Sequence, residues 1–239
     1  MSIERLSAEL ARLTEDQDQV FEHLKEMTQM VKECAHNRKL AIGLLERLAL
    51  DADFAATLPP TIDPNDITLF RDPKGNFSIR IFVWLPHRPY PIHDHGAWGI
   101  VAGLAGSTQE VRYRRLDTGE TPGYAELEAA KITVLNPGDT TVVMPLNEGI
   151  HQMNAIGETA SITLHIYGKA IRKGYIQAFQ PDSRRVYRMY SPTHQHRITS
   201  IHALGAMSTL EAKAILEQVA RDNRPFIQEE AQNALANSK

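Results

Sequence analysis

A chain of 239 residues is long enough for one large domain or two small ones and can bury a sizeable core. Hydrophobic residues at 42% and charged residues at 23% suit a globular protein, and a formal net charge of -3 gives no whole-chain attraction to nucleic acid or to an anionic membrane. The single cysteine, Cys34, excludes an intrachain disulfide and a thiolate-based metal site. The first residues carry charges without an apolar signal core, and no apolar run approaches the ~20 residues of a membrane helix. A reducing cytoplasm is the expected compartment, with no membrane and no nucleic acid as partner.

In chain order, Ile3, Leu6, Leu10 and Leu13, then Val20, Leu24, Met27 and Val31, recur at three- and four-residue steps, which predicts helix over 3–32. A second apolar helix is expected over about 38–50, and Pro59, Pro60 and Pro64 mark a break. Strand patterns follow at 77–84, 98–104, 109–114, 131–135, 140–144 and 160–167. They are separated by turn signals such as Lys74-Gly75-Asn76 and Asn136-Pro137-Gly138-Asp139. Tyr187, Arg188 and Tyr190 suggest a further strand. Ser208-Thr-Leu-Glu211 reads as a capping box opening a helix to about Arg221, and 224–237 reads as a last short helix. Many short strands at this spacing predict a mainly β chain built on an antiparallel barrel or sandwich. The expected division is an N-terminal helical segment over 1–58, a barrel over 59–192 and a C-terminal helical tail over 193–239. The helices are expected to pack on the barrel, because each has one apolar stripe that needs cover.

The chemistry-bearing segment is Ile92-His93-Asp94-His95-Gly96. Two histidines one residue apart at a strand end share a face, and His151 in Gly149-Ile-His151-Gln-Met-Asn154 can close a third corner of a metal polyhedron. Imidazole suits iron, zinc, copper and nickel alike. Three neutral ligands leave the charge of a divalent ion uncompensated, which favours an anionic partner such as a thiolate or enolate. They also leave coordination positions open, as catalytic sites do and structural zinc sites do not. Thr163, His165 and Tyr167 stand at i, i+2 and i+4 of a strand pattern and share one face. In a barrel interior they would need one another as hydrogen-bond partners, in the order hydroxyl, imidazole, phenol.

Three segments in order carry a family resemblance. Pro91-Ile-His93-Asp-His95-Gly-Ala-Trp98-Gly99 resembles the first cupin motif of the thiol dioxygenases, the family of cysteine dioxygenase and 3-mercaptopropionate dioxygenase. Gly138-Asp139, Pro145 and Gly149-Ile-His151-Gln-Met-Asn154 resemble the second motif. Thr163-Leu-His165-Ile-Tyr167-Gly168 is similar to the Ser-x-His-x-Tyr segment that closes the family's site, with threonine in place of serine. The likeness covers about residues 66–170. It implies a cupin (jelly-roll, double-stranded β-helix) barrel with helices before and after it. It also implies Fe(II) on His93, His95 and His151, a small thiol and O2 as substrates, and a sulfinic acid as product. Tyr167, His165 and Thr163 would be the catalytic relay. Animal cysteine dioxygenases crosslink the tyrosine to a nearby cysteine. Cys34 lies in the N-terminal helical region, so the site resembles the uncrosslinked bacterial type.

A thiol carboxylate needs a cationic anchor, and an arginine fork matches a carboxylate. Arg71 occupies the region where cysteine dioxygenases carry theirs, and Arg172 lies near the arginine of the mercaptopropionate enzymes. Arg80 sits on an alternating strand with its facing open. Tyr90 and Trp98 are candidate pocket walls, with core packing equally open for Trp98. Arg112, Arg114 and Arg115 read as a solvated basic cluster, and His194, His196 and His202 as surface histidines. Two further readings stay open: another three-histidine metal enzyme, cleaving carbon–carbon bonds or isomerising sugars, and a non-catalytic cupin that senses a ligand. The oligomeric state is left undecided.

Overall fold

In the computed structural model, which describes residues 2–58, 63, 65–207 and 209–237, the N-terminal apolar repeat folds as two helices rather than one. α1 spans Ile3–Leu13, capped by Ser2, whose side chain accepts from Arg5 N, and α2 spans Leu24–Ala35. The expected single helix over 3–32 is interrupted at 14–23, and the cause is local. Asp16 accepts the amide of Asp18 at 3.0 Å and the side chain of Gln19 at 2.9 Å, while Gln17 bonds the Thr14 carbonyl. Side-chain bonds of this kind offer the backbone an alternative to the helical ladder. α3 (Arg38–Leu50) and α4 (Ala52–Thr57, capped by Asp51) follow. Pro59, Pro60 and Pro64, read as a break, lie outside the described residues.

Two antiparallel sheets come next. Numbered along the chain, the first has the spatial order β1 (Asp66–Arg71), β2 (Phe77–Trp84), β9 (Ser161–Gly168), β4 (Gly99–Ala105) and β7 (Thr140–Val143). The second runs β11 (Arg185–Tyr190), β10 (Tyr175–Gln180), β3 (Ile92–His93), β8 (His151–Ala155), β5 (Thr108–Arg115) and β6 (Leu127–Leu135). This is the mainly β, double-stranded β-helix barrel expected from the sequence. The strands expected at 77–84, 98–104, 109–114, 131–135, 140–144 and 160–167 form within a few residues of those bounds. β1, β3, β8 and β10 are additional. β3 is only two residues long, too short to show a periodicity.

Alternation along the strands sorts the first sheet into two faces. Ile79 and Ile81 of β2, Ile100 and Ala102 of β4, and Leu164 and Ile166 of β9 turn outward and pack against Leu6, Leu10, Met27 and Val31 of α1 and α2. Phe82, Trp84, Val101 and Val143 turn inward and meet Met153 of the opposite sheet. Cys34 is buried in α2, as its helical setting implied. The N-terminal helices therefore cover the sheet whose other face lines the site.

The chain divides into two compact units, 1–189 and 190–239. Within the second, α5 (Pro192–Met207), α6 (Leu210–Val219) and α7 (Pro225–Asn237) form a helical cluster. Tyr190 donates to Glu230 at 2.6 Å, and Asp222 pairs with Arg197 and Arg224. The α6 cap is Thr209, which accepts from Ala212 N, rather than Ser208, which lies outside the described residues. His194, His196 and His202 sit on α5, where His202 meets Glu230 at 2.8 Å. Among the described residues no helix is long and apolar enough to cross a membrane.

Met27 is fully buried between α1 and the sheet. Met27→Ala is expected to cost about 2–5 kcal/mol of unfolding free energy, because it leaves a cavity as well as losing apolar contact. Exposed Lys25→Ala on the same helix should be near neutral. Urea denaturation of the two variants measures the difference.

Candidate metal centre

His93 on β3 pairs directly with His151 on β8 across the antiparallel ladder, so both side chains enter the barrel from one sheet. The strand ends at His93, and His95 reaches the same space from just beyond it. What holds this short segment is Asp94, whose side chain is fully buried between the two histidines. Its amide donates to Gln177 O at 3.0 Å, its carboxylate accepts from Gln177 N at 2.7 Å, and Arg172 forks onto both carboxylate oxygens. Gly96 O then accepts the amides of Ile171 and Arg172 at 2.8 and 3.2 Å. A Cβ at Gly96 would stand 2.3 Å from Arg172 O, so only glycine permits this approach.

The three imidazoles are buried, and their candidate ligand atoms lie within 4.8 Å of one another. His95 Nε2 and His151 Nε2 are 2.8 Å apart. Two nitrogens each ~2.1 Å from one ion, at a right angle, would be about 3 Å apart, so the spacing fits a shared divalent cation. His93 Nδ1 donates to Pro91 O at 3.0 Å and His151 Nδ1 to Glu110 Oε1 at 2.8 Å, so both rings turn Nε2 lone pairs inward. Burial, with the neighbouring His151, pushes the His93 pKa down to about 3, and burial with His93 and His151 depresses His95 well below its usual value. Neutral imidazole is the form that binds metal. Among the described residues this is the group suited to hold an ion, and its nitrogen donors do not choose among iron, zinc, copper and nickel.

Glu110 is a residue the sequence reading missed. It is fully buried on the inward face of β5. Besides His151 it accepts from Thr141 Oγ1 at 3.0 Å and pairs with Arg112 Nε at 3.2 Å. Burial works against its charge, but the His151 hydrogen bond and Arg112 outweigh that and hold its pKa below the ordinary carboxylate value. The solvated cluster expected at 112–115 is corrected accordingly. Arg112 turns inward to Glu110, Thr141 and the Val142 carbonyl, and Arg115 is held by Asp117 and the Tyr124 carbonyl. Arg114 stays exposed beside Glu128. The signal lay in the spacing: Thr108, Glu110 and Arg112 share one face of an alternating strand.

On β9, Thr163, His165 and Tyr167 form a chain of hydrogen bonds. Trp84 Nε1 donates to Thr163 Oγ1 at 2.8 Å, Thr163 Oγ1 meets His165 Nε2 at 2.7 Å, and His165 Nδ1 meets the Tyr167 hydroxyl at 2.9 Å. Indole can only donate, so Thr163 accepts from Trp84. The two remaining links follow the His165 tautomer: with the proton on Nδ1, Thr163 donates to Nε2 and His165 donates to Tyr167, leaving the phenol hydrogen for the cavity, and with it on Nε2 both links reverse. Burial keeps His165 neutral and pushes the Tyr167 phenol above its usual pKa. The Tyr167 ring stacks 5.3 Å from that of His95. Its flank lies on Gly99, where a Cβ would be 3.0 Å from Tyr167 Cδ1 and Cε1.

A cavity of about 290 Å³ opens beside these groups, lined among others by Arg80, Tyr90, His93, His95, Tyr167 and Arg172. Tyr90 stands edge-on to His93 at 4.9 Å between ring centres. Trp98 is in the core beneath α1 and α2, against Gly168, where a Cβ would fall 2.1 Å from the indole. Arg71 is exposed, opposite Ser78, and does not line the cavity. Arg172 is at the rim with both terminal nitrogens on Asp94. Arg80 is the arginine that faces the cavity with a side of its fork uncommitted: Nη1 is on Asp66 at 2.5 Å and Nε on Ser78 at 3.1 Å.

Fold and site define a jelly-roll protein with a three-histidine group able to hold a metal ion. No family model matches the chain. Solved structures with a partial likeness include a cupin-like protein from Thermotoga maritima, at 17% identity and TM-score 0.31, covering 43% of this chain and 65% of that one. An oxalate decarboxylase–formate complex from Lactobacillus farciminis gives 18% and 0.35, covering 50% of this chain and 33% of that one. A cupin-2 domain from Rhodospirillum rubrum gives 17% and 0.34, covering 45% and 61%. The matched part spans less than two thirds of each of these three chains, and no chemistry is carried over from them.

His151→Ala removes one of the three imidazoles and is expected to abolish stoichiometric metal binding. Elemental analysis of the purified variant after incubation with Fe(II) or Co(II) reads this directly; metal retained at the wild-type level would place the ligands elsewhere.

Proposed function

We propose that the chain is a non-haem iron thiol dioxygenase, adding both atoms of O2 to a small thiol carboxylate, 3-mercaptopropionate or cysteine, to give a sulfinic acid. His93, His95 and His151 would hold Fe(II), which when bound would supply the redox chemistry that joins O2 to a thiolate. Holding both reactants in one place removes a bimolecular encounter.

The observation that carries this reading is the Tyr167 hydroxyl, on the wall of the same cavity as the histidines and at the end of the relay from Trp84. In the His165 tautomer with its proton on Nδ1, the Tyr167 hydroxyl hydrogen is free for an oxygen atom of a bound reactant, and His165 Nδ1–H steadies the phenol oxygen as that proton is shared. The three neutral imidazoles leave the site attractive to an anionic sulfur. Carbon–carbon cleavage and sugar isomerisation do not call for this hydroxyl–imidazole–phenol face.

A cavity of about 290 Å³ suits a small substrate. Arg80 is its cationic wall, and neither of its two bonds uses Nη2, which can meet a substrate carboxylate. Arg172 closes the rim through Asp94, and Tyr90 bounds the far side. The partners in this reading are the small thiol and O2, with neither nucleic acid nor a membrane required, and a reducing compartment keeps such a thiol reduced.

The test is oxygen consumption by the Fe(II)-loaded protein over cysteine, 3-mercaptopropionate, cysteamine and mercaptosuccinate. Uptake with a carboxylated thiol, and its sulfinate by mass spectrometry, is the expected result; no uptake with any of the four removes the reading. With the responding thiol, Tyr167→Phe should lower kcat by roughly 10²–10⁴-fold, the usual worth of a positioned proton donor, with bound iron unchanged.

A further inference from the structure

We propose that Glu110 is a positioning residue for the metal, supplying through His151 the negative charge that the three neutral imidazoles lack, and that Arg112 moderates that charge from the outer side. The inference rests on the metal-centre reading of His93, His95 and His151 and goes beyond it by giving the site a fourth, charged participant.

Three observations carry it. Glu110 is a fully buried carboxylate on β5, paired across the ladder with the buried Met153, and burying a charge is expensive unless it is partnered. Its two oxygens do different work: Oε1 takes the Nδ1 proton of His151 at 2.8 Å, while Oε2 is shared by Thr141 at 3.0 Å and Arg112 Nε at 3.2 Å. The anion thus sits next to the ligand, and the cation one step further out. Arg112 is also a third exposed, against none for Glu110, so solvent screens the cation more than the anion. Glu110 is thus the nearer and the less solvent-screened of the two charges to His151. A carboxylate receiving a ligand's remote N–H fixes the tautomer and makes the ligand more basic. Arg112 is itself held by Thr141 Oγ1 and the Val142 carbonyl, so the distance between the two charges is set by the barrel wall.

The experiment measures Co(II) affinity by competition with a chromophoric chelator, with the visible spectrum of the bound ion as a second readout. It compares wild type, Glu110→Gln, Arg112→Gln and the double variant, all in the full chain and checked for fold by circular dichroism without metal. The glutamine side chain keeps a carbonyl for His151 but no charge. Glu110→Gln is expected to weaken Co(II) binding by roughly 10–100-fold and shift the spectrum, whereas Arg112→Gln should bind at least as tightly as wild type. The double variant, which leaves no cation facing the new amide, should be as weak as Glu110→Gln and covers the case in which the single variant does not fold. Wild-type affinity in Glu110→Gln, or an equal loss in Glu110→Gln and Arg112→Gln, overturns the proposal and leaves Glu110 a structural group. Failure of the wild type itself to bind Co(II) overturns the metal-centre reading, and the proposal with it.

Discussion

Three imidazoles can share a buried space within 4.8 Å only while they stay neutral and their remote nitrogens find acceptors. Much of the barrel serves that constraint. The Pro91 carbonyl answers His93, and Glu110 answers His151. His95 Nε2 and His151 Nε2, 2.8 Å apart, can share one proton, and a cation between the rings would take the place of that proton. The spacing that suits the hydrogen bond also suits a metal ion.

Around that centre the two sheets contribute different things. The β3–β8–β5 side brings the nitrogen donors and the carboxylate behind them, while β2 and β9 bring the relay and Arg80. The helices α1 and α2 touch neither set. They seal the outer face of β2, β4 and β9, leaving the inner face of those strands to carry polar groups that a thinner wall would expose to water. Apolar packing on one side of a sheet thus permits hydrogen-bond chemistry on the other.

The alternating strands and the His-Asp-His segment were legible in the sequence because each rests on a local rule: period two for a strand, and a shared face for residues two apart. What escaped was decided by partners distant in the chain. β3 has two residues and exists through its pairing with β8 and β10. Arg80 could have faced either way by periodicity; its pairing with His165 across β2 and β9 puts it inside. Arg71 and Arg172 rest on where the thiol dioxygenases carry their arginines, yet one is exposed and the other is committed to Asp94. Arg112 reads as a solvated charge and Glu110 draws no reading, because nothing local says that the face they share closes over the three histidines. The break at 14–23 is the exception that was local, written in a run of acidic and amide side chains and in the missing apolar step between Leu13 and Val20.

Asp94 stands between two of the histidines and, through Arg172 and Gln177, also fastens the segment that folds over Gly96. The rim of the cavity and the ligand-bearing turn are thus one mechanical body. Lifting the 168–174 segment would pull on the backbone that aims His93 and His95, so the opening beside Arg80 and Tyr90 and the placement of the imidazoles are set together by the same few hydrogen bonds.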